Sequence, residues 1–314
     1  MKHVFMINPC AGKGKALDII KPKIEKYCSE NSIDSDIYVS KSSQDGIDYM
    51  RSFAQSGEHV RIYACGGDGT LYDAVNAVFG NENAEVAAIP LGSGNDFIRL
   101  FGKKEDMLDI DAQVNGTAIE LDVIRCGDRI AINQCSMGID AEICATQAYF
   151  KKLPIFSGES AYTAALFYCL MKKINNEFTI QIDDEPPVKT KVLFSLGANS
   201  RWYGGGYKGA PLAIPDDGLL DFIIVRKTVG RLGLIPLVSK YKAGQHLSWD
   251  MTTFKRGKKI TIHSDNLAAV NIDGETDYAH DSTFEIIEKG IKFVVPSNST
   301  YFEDRKSGKI SSTS

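Results

Sequence analysis

The sequence predicts an α/β N-terminal domain with a parallel sheet, followed by a β-rich, sandwich-like C-terminal domain. Three observations predict it. Short apolar strands alternate with helical patterns up to about Asp122. Glycine-rich turns follow three of those strands. Beyond Asp122 the rhythm changes to strand-length runs bounded by Gly, Pro or Asp, as antiparallel strands are. At 314 residues the chain is long enough for two domains and a sizeable core.

In order, a buried strand over 3–8 breaks at Asn8-Pro9 into Cys10-Ala11-Gly12-Lys13-Gly14-Lys15, and a helix runs on to about Tyr27. A second strand covers 36–40 and a helix 45–55. A third apolar run, 60–64, feeds Cys65-Gly66-Gly67-Asp68-Gly69-Thr70-Leu71, and a helix to Phe79 places Leu71, Ala74, Val75 and Val78 on one face. The fourth strand, 85–91, enters Gly92-Ser93-Gly94-Asn95-Asp96 and a short helix. Strands are then expected at 121–126, 129–134, 178–182, 189–198, 219–225, 259–263, 268–272, 283–287 and 291–295, with helices at 159–173 and 229–244. The first domain spans 1–122 with about 289–306, and the second 123–288. The polar, serine-rich tail 307–314 reads as disordered.

Composition bounds the partners and the compartment. A hydrophobic content of 43% and a net charge of −4 describe a globular protein that does not bind nucleic acid wholesale. The seven cysteines (Cys10, Cys28, Cys65, Cys126, Cys135, Cys144, Cys169) are odd in number and form no C-x-x-C pair. That points to a reducing compartment and no structural zinc. The N-terminus lacks a charged leader, and the longest nearly uncharged run, 161–171, is far short of the ~20 residues of a membrane span. The expectation is a cytoplasmic protein.

Three glycines in four positions let backbone N–H groups approach a ligand, and the helix that follows adds free N–H groups and the positive end of its dipole. Asp68 sits within that anion site, which makes sense if a divalent cation stands between acid and phosphate. The bland reading is an Asp-Gly turn between strand and helix. Three such turns at adjacent strand ends are stronger evidence than one, because ligands of parallel sheets bind outside the carboxyl ends of the strands. No Walker loop occurs. The formal G-x-G-x-x-G at Gly204–Gly209 leads into Ala-Pro-Leu-Ala-Ile-Pro rather than a helix, so it is not a dinucleotide fingerprint.

Asn8-Pro9 with Gly12, Gly66-Gly67-Asp68-Gly69-Thr70, and Pro90-Leu91-Gly92-Ser93-Gly94-Asn95-Asp96-Phe97 together resemble the diacylglycerol kinase catalytic-domain family, which includes bacterial soluble lipid kinases and sphingosine kinases. Gly204-Gly205-Gly206, Pro215-Asp216-Asp217-Gly218-Leu219-Leu220-Asp221 and Asn271-Ile272-Asp273-Gly274-Glu275 extend the resemblance over about residues 3–296. The Gly-Gly-Asp-Gly-Thr turn is shared with NAD kinases and phosphofructokinases; the later motifs narrow it to lipid kinases.

The resemblance implies that Asn8, Pro9, Cys10, Ala11, Gly12, Ser40, Gly66, Gly67, Asp68, Gly69, Thr70, Ser93 and Asn95 hold ATP. Asp68, Asp96, Asp122 and Asp217 would form an acidic, water-linked network around Mg²⁺, in a cleft between the domains. A structural metal would take the Asp217 carboxylate and the carbonyls of Ile214 and Leu219. Glu275 would be the general base. These residue types suit phosphoryl transfer, which is mostly positioning and charge neutralisation, with a carboxylate to accept the hydroxyl proton. Taken alone, Asp216-Asp217-Gly218 would be a β-turn and Asp273-Gly274-Glu275 a hairpin turn with a solvated Glu. Cys10-Ala11 stands where the family often has small hydroxyl residues, and Ser93 replaces the commoner Thr.

The lipid end carries a weaker signal. Lys151-Lys152-Leu153-Pro154-Ile155-Phe156 precedes Tyr162, Leu166, Phe167 and Leu170, with Lys172-Lys173 after them. Ile235, Pro236, Leu237 and Val238 lie between Arg231 and Lys240-Lys242 in a similar way. Either segment suits an anionic membrane surface or the wall of an acyl-chain groove. The competing reading is an amphipathic helix packed on a sheet with a solvated lysine edge. No histidine has ligand spacing.

The expected activity is transfer of the γ-phosphoryl group of ATP to a hydroxyl of a membrane lipid, diacylglycerol first, by a cytoplasmic protein peripherally attached to the membrane. A homodimer stays open. The competing readings are NAD-kinase-like phosphorylation of a soluble hydroxyl and nucleotide sensing without turnover.

Overall fold

The computed structural model describes residues 1–14, 16–150, 153, 155–156, 158–172 and 176–312. The chain divides into two compact units, residues 1–122 with 288–311, and residues 123–287.

In the first unit, β1 (Lys2–Ile7) leads to α1 (Ala16–Glu30), β2 (Ser35–Val39) to α2 (Ser43–Ala54), and β3 (Val60–Gly66) to α3 (Asp68–Val78). Next come β4 (Ala84–Pro90), two short helices, α4 (Lys104–Met107) and α5 (Ile110–Val114), and β5 (Thr117–Cys126). β1 pairs in parallel with β2 on one side and β3 on the other, and β3 pairs in parallel with β4. Every residue of β3 and β4 is buried, as a parallel strand covered on both faces requires. Phe5, Ile7, Tyr63, Cys65, Ala87 and Ile89 point to one face, where Ala16, Ile20, Ile24 and Cys28 of α1 meet them at helical spacing. The alternate residue Met6 meets α2 at Gly46 on the other face. All four strands therefore end at one edge, and the turns after them share it.

In the second unit, β6 (Arg129–Ala131) and β7 (Gln134–Gly138) precede α6 (Ile139–Phe150) and α7 (Gly158–Met171). β8 (Asn176–Ile182), β9 (Val188–Ala198), β10 (Leu220–Arg226), α8 (Arg231–Lys242), β11 (Thr252–Gly257), β12 (Lys259–Ile272) and β13 (Glu275–Val295) follow. Pairing is antiparallel in the order β11-β10-β9-β7-β12-β13, and β8 pairs with both β9 and β12. The last part of β13 belongs to the first unit, where Lys292 and Phe293 pair in parallel with Glu85 and Val86 of β4.

Several expectations change. The runs expected at 259–263 and 268–272 are one strand, broken only by a register shift between His263 and Ala268. Those at 283–287 and 291–295 belong to one 21-residue strand that begins at Glu275. The run at 129–134 ends at Ala131, and a separate strand starts at Gln134. α6 and β11 were not expected at all. Just before the tail, α9 (Tyr301–Lys306) forms, and the Ile310 N–H donates to the Asp304 carbonyl at 3.0 Å. Tyr301, buried against Phe101 with ring centroids 4.7 Å apart, and buried Ile310 are the two apolar anchors that offset the tail's polar composition.

No described helix is long and apolar enough to cross a membrane. Lys151, Lys152, Pro154 and Lys173, set beside the apolar helix in the sequence, lie outside the described residues, as does the Arg231 side chain.

Candidate functional site

In the first unit the three glycine turns meet. Asn8 ends β1; its Oδ1 accepts the Cys10 N–H at 3.0 Å and its Nδ2 donates to Thr70 Oγ1 at 3.1 Å, tying the first turn to the second. The Gly66 carbonyl accepts the N–H of Leu91 at 2.7 Å and of Gly92 at 3.2 Å, tying the second to the third. Only glycine fits there: a Cβ on Gly92 would stand 2.5 Å from the Gly67 Cα. Ser40, buried at the end of β2, donates its N–H to the Ile7 carbonyl at 3.0 Å, beside Asn8. Pro9 and Ala11 are half-buried, whereas Cys10, Gly12, Gly69 and Ser93 are exposed.

Gly67 caps α3 without any side-chain bond, so the first-turn amides of that helix are not taken by a capping side chain. Bare glycine backbone beside a helix N-terminus fits the phosphates of a nucleotide.

The acids of this unit hold the backbone. Asp68 Oδ2 accepts the Asn95 N–H and Oδ1 the Asp96 N–H, both at 2.7 Å. Asn95, at φ 50°, donates its Nδ2 to the Gly92 carbonyl at 2.7 Å. The Arg99 Nε donates to Asp96 Oδ1 at 3.1 Å. Buried Asp122 accepts the Lys289 N–H at 2.9 Å, where β13 crosses a left-handed residue (φ 54°) on its way into the first unit. Asp68 and Asp96 are thus brought together through the loop between them.

In the second unit, Glu275 follows a two-residue hairpin turn, since Ile272 pairs with Glu275. Both turn residues have positive φ, Asp273 at 52° and Gly274 at 99°, the Asp-Gly geometry that matches strand twist. The turn is unusually well held. Asn271 Oδ1 accepts the Gly274 N–H at 2.8 Å, and the Asp273 carboxylate accepts the N–H groups of Ile132 at 2.6 Å, Asn133 at 3.1 Å and Gln134 at 2.7 Å. The Glu275 side chain is exposed and has no hydrogen bond or ion pair among the described residues. A fixed hairpin carrying a solvated carboxylate suits a proton acceptor.

The Asp217 loop is arranged differently from the implied metal site. Asp217 Oδ1 accepts the Leu219 N–H at 3.2 Å, and Oδ2 accepts from the Arg256 guanidinium at 2.5 Å. The Arg256 Nε donates to fully buried Asp221 at 2.8 Å. Ile214 is buried and Leu219 half-buried. The Arg256 guanidinium thus contacts the Asp217 carboxylate that the implied metal would take.

A cavity lies under α6, α7 and α8, with a volume of about 80 Å³ and walls that include Ile143, Leu166, Leu170, Phe194, Leu237 and Met251. One end is polar. Asp140 is buried and takes the Ser136 hydroxyl at 2.5 Å, and the Tyr203 and Tyr241 hydroxyls lie 2.7 Å apart. Burial pushes the Asp140 carboxyl above the usual carboxylate range. Arg256, Asp140 and the tyrosines carried no signal in the sequence: Arg256 sits in a basic run that reads as solvated, and Asp140 in an apolar one.

The comparisons agree with this arrangement. The family described as "Diacylglycerol kinase catalytic domain" matches residues 2–126, and "YegS C-terminal NAD kinase beta sandwich-like domain" matches residues 133–295. A diacylglycerol kinase of Staphylococcus carnosus is 27% identical over 299 residues, 93% of this chain and 94% of that one. A protein of Shewanella frigidimarina named "Probable lipid kinase YegS-like" is 27% identical over 270 residues, 84% and 85% of the two chains. The crystal structure of a diacylglycerol kinase from Bacillus anthracis superposes with a TM-score of 0.67 at 18% identity, covering 94% of this chain and 96% of that one, which shows the shared fold. With its glycine cradle, its clamped hairpin and both family domains in order, the chain belongs to the diacylglycerol kinase catalytic-domain family of lipid kinases.

Proposed function

We propose that the protein transfers the γ-phosphoryl group of ATP to the primary hydroxyl of diacylglycerol, giving phosphatidic acid, at a membrane surface. The observation that carries the choice of acceptor is the apolar cavity under α6, α7 and α8. Its aliphatic and aromatic walls suit an acyl chain; a soluble acceptor such as NAD has no use for it.

The residues divide the work. Asn8, Pro9, Cys10, Ala11, Gly12, Ser40, Gly66 to Thr70, Ser93 and Asn95 hold the nucleotide, mainly through backbone N–H groups. Asp68 and Asp96 fix the third turn, so that these donors keep their place while charge shifts on the phosphoryl group. Glu275 takes the proton of the acceptor hydroxyl. Mg²⁺ arriving with ATP supplies charge neutralisation on the phosphate oxygens.

Exposed Ile155, Phe167, Tyr168, Met171, Leu232 and Ile235, with Lys172, Lys240 and Lys242, give α7, α8 and their surroundings a surface suited to anionic lipid on the cytoplasmic side.

ATP consumption measured with diacylglycerol in mixed micelles, with NAD, and with no acceptor tests the reading. Turnover only with diacylglycerol is expected. Turnover with NAD alone overturns the lipid acceptor, and no turnover with any acceptor favours a nucleotide sensor.

A further inference from the structure

The loop from Ile214 to Leu219 is where the family resemblance implies a structural metal, and this chain departs from that expectation. Arg256 lies on β11 directly across from Asp221 on β10. From there its Nε reaches Asp221 Oδ1 at 2.8 Å, and its terminal nitrogen reaches Asp217 Oδ2 at 2.5 Å. One guanidinium therefore joins the loop to the adjacent strand through two carboxylates. Arg201 adds a second cation nearby, donating its Nε to the Ala213 carbonyl at 3.0 Å in buried surroundings. The remaining Asp217 oxygen is bonded to the Leu219 N–H within the loop.

We propose that Arg256 does the work of the structural cation here: it holds the Asp217 loop by an internal ion pair, and the loop binds no divalent metal of its own. A metal at Asp217 would have to displace a guanidinium already in contact with that carboxylate, and like charges at that separation repel. The planar donor fork of arginine spans two carboxylates, a task that lysine's point charge performs poorly. One acceptor of the cluster has no partner, Asp221 Oδ2, and it is enclosed with no exposed surface for a hydrated ion to approach. Arg256 is a positioning residue, acting on the loop and not on substrate.

The test needs neither nucleotide nor lipid, so its outcome is separate from that of the kinase reading. Thermal unfolding is followed in EDTA and in millimolar Mg²⁺, and Mg²⁺ is titrated into the full chain by calorimetry. The wild type is expected to melt within about 1 °C of the same temperature in both, with no saturable heat of binding. Arg256→Gln is expected to melt about 3 °C or more lower in EDTA and to recover part of the loss in Mg²⁺, as the freed Asp217 and Asp221 become available to a cation. Arg256→Lys, which keeps the charge and loses the fork, should fall in between. A wild-type melt raised by Mg²⁺, or calorimetric binding abolished by Asp217→Asn or Asp221→Asn, overturns the proposal. So does an Arg256→Gln melt in EDTA equal to that of the wild type.

Discussion

Asp68 holds Asn95 across 27 residues of sequence: its Oδ2 accepts the Asn95 N–H at 2.7 Å, while Oδ1 accepts the next amide, that of Asp96, at the same distance. An acid in an anion-binding turn looks paradoxical, and a cation between acid and phosphate is one way to resolve it. The structure supplies another. The carboxylate faces sideways, into the turn after β4, and fixes the backbone that completes the cradle. Asp68→Asn keeps the shape but turns one acceptor into a donor pointing at an N–H. The expected result is a loss of ~1–3 kcal/mol in denaturant unfolding and at least tenfold weaker ATP binding by calorimetry. Unchanged ATP affinity would contradict the role.

Gly92 and Gly69 separate packing from ligand contact. A Cβ on Gly92 would meet the Gly67 Cα at 2.5 Å, backbone that cannot give way, so Gly92→Ala should cost ~2 kcal/mol or more in stability. Gly69 lies in the first turn of α3 with nothing within 4 Å of its Cβ position. There Gly69→Ala should raise the stability of the nucleotide-free protein by roughly 0.5–1 kcal/mol through helix propensity. If a phosphate rests on that turn, the same methyl should weaken ATP binding. Stability and affinity moving in opposite directions is the signature to look for; equal affinity would place the phosphate elsewhere.

The first unit was legible because each strand–turn–helix step is local: the apolar run of β3, the glycines after it and the i, i+4 face of α3 are neighbours in sequence. The pairing of Asp68 with Asn95 and Asp96 is not local, and no periodicity announces it. In the second unit β12 and β13 are long and irregular, so partial alternation broke each of them into short runs. α6 escaped notice because Ile139, Asp140, Ala141 and Ile143, its buried residues, cluster at its start instead of tracing a stripe. Arg256 sits within Lys255-Arg256-Gly257-Lys258-Lys259, which reads as a solvated basic run until the strand register sets it opposite Asp221. The Asp-Gly-Glu hairpin was visible; the three amides that hold Asp273, about 140 residues earlier, were not.

Leu232, at 81% exposure on α8, is the most exposed large apolar side chain among the described residues. Leu232→Glu should change unfolding stability by no more than about 0.5 kcal/mol. It should lower co-sedimentation with anionic phospholipid vesicles severalfold, since it removes apolar contact and adds repulsion. Equal vesicle binding by the two proteins would move the membrane surface off α8.

Two buried histidines set the acid limit of stability. Burial, helped by the Arg61 charge, pushes His3 down to about 4, and burial alone does the same to His246, whose Nε2–H donates to the Gly209 carbonyl at 2.9 Å. In the unfolded chain both titrate near 6.5. Below pH 6.5 the unfolded state therefore takes up protons that the folded state refuses, so stability falls from pH 6.5 towards pH 4 and levels off beneath it. Each histidine should account for up to about 2 kcal/mol between pH 6.5 and 5. Urea unfolding at pH 7.5 and 5 checks this, with His3→Gln expected to flatten the slope. A wild type equally stable at both values would show that neither ring stays neutral in the folded protein at pH 5.

Glu275 offers the sharpest separation of chemistry from structure. Its side chain is exposed and unpaired among the described residues, while the turn before it is held by Asn271 and Asp273 through backbone amides that a substitution at 275 does not touch. Glu275→Gln should therefore leave unfolding stability within about 0.5 kcal/mol of wild type and ATP affinity unaltered. Turnover with diacylglycerol should fall by roughly a hundredfold or more, because the amide cannot accept the hydroxyl proton. Asp273→Ala is the informative partner: it leaves the Ile132, Asn133 and Gln134 amides without their acceptor, so it should lower stability by ~1–3 kcal/mol as well as turnover. If Glu275→Gln turned over at the wild-type rate, another group would be taking the proton, and the clamped hairpin would serve only to shape the lipid-binding unit.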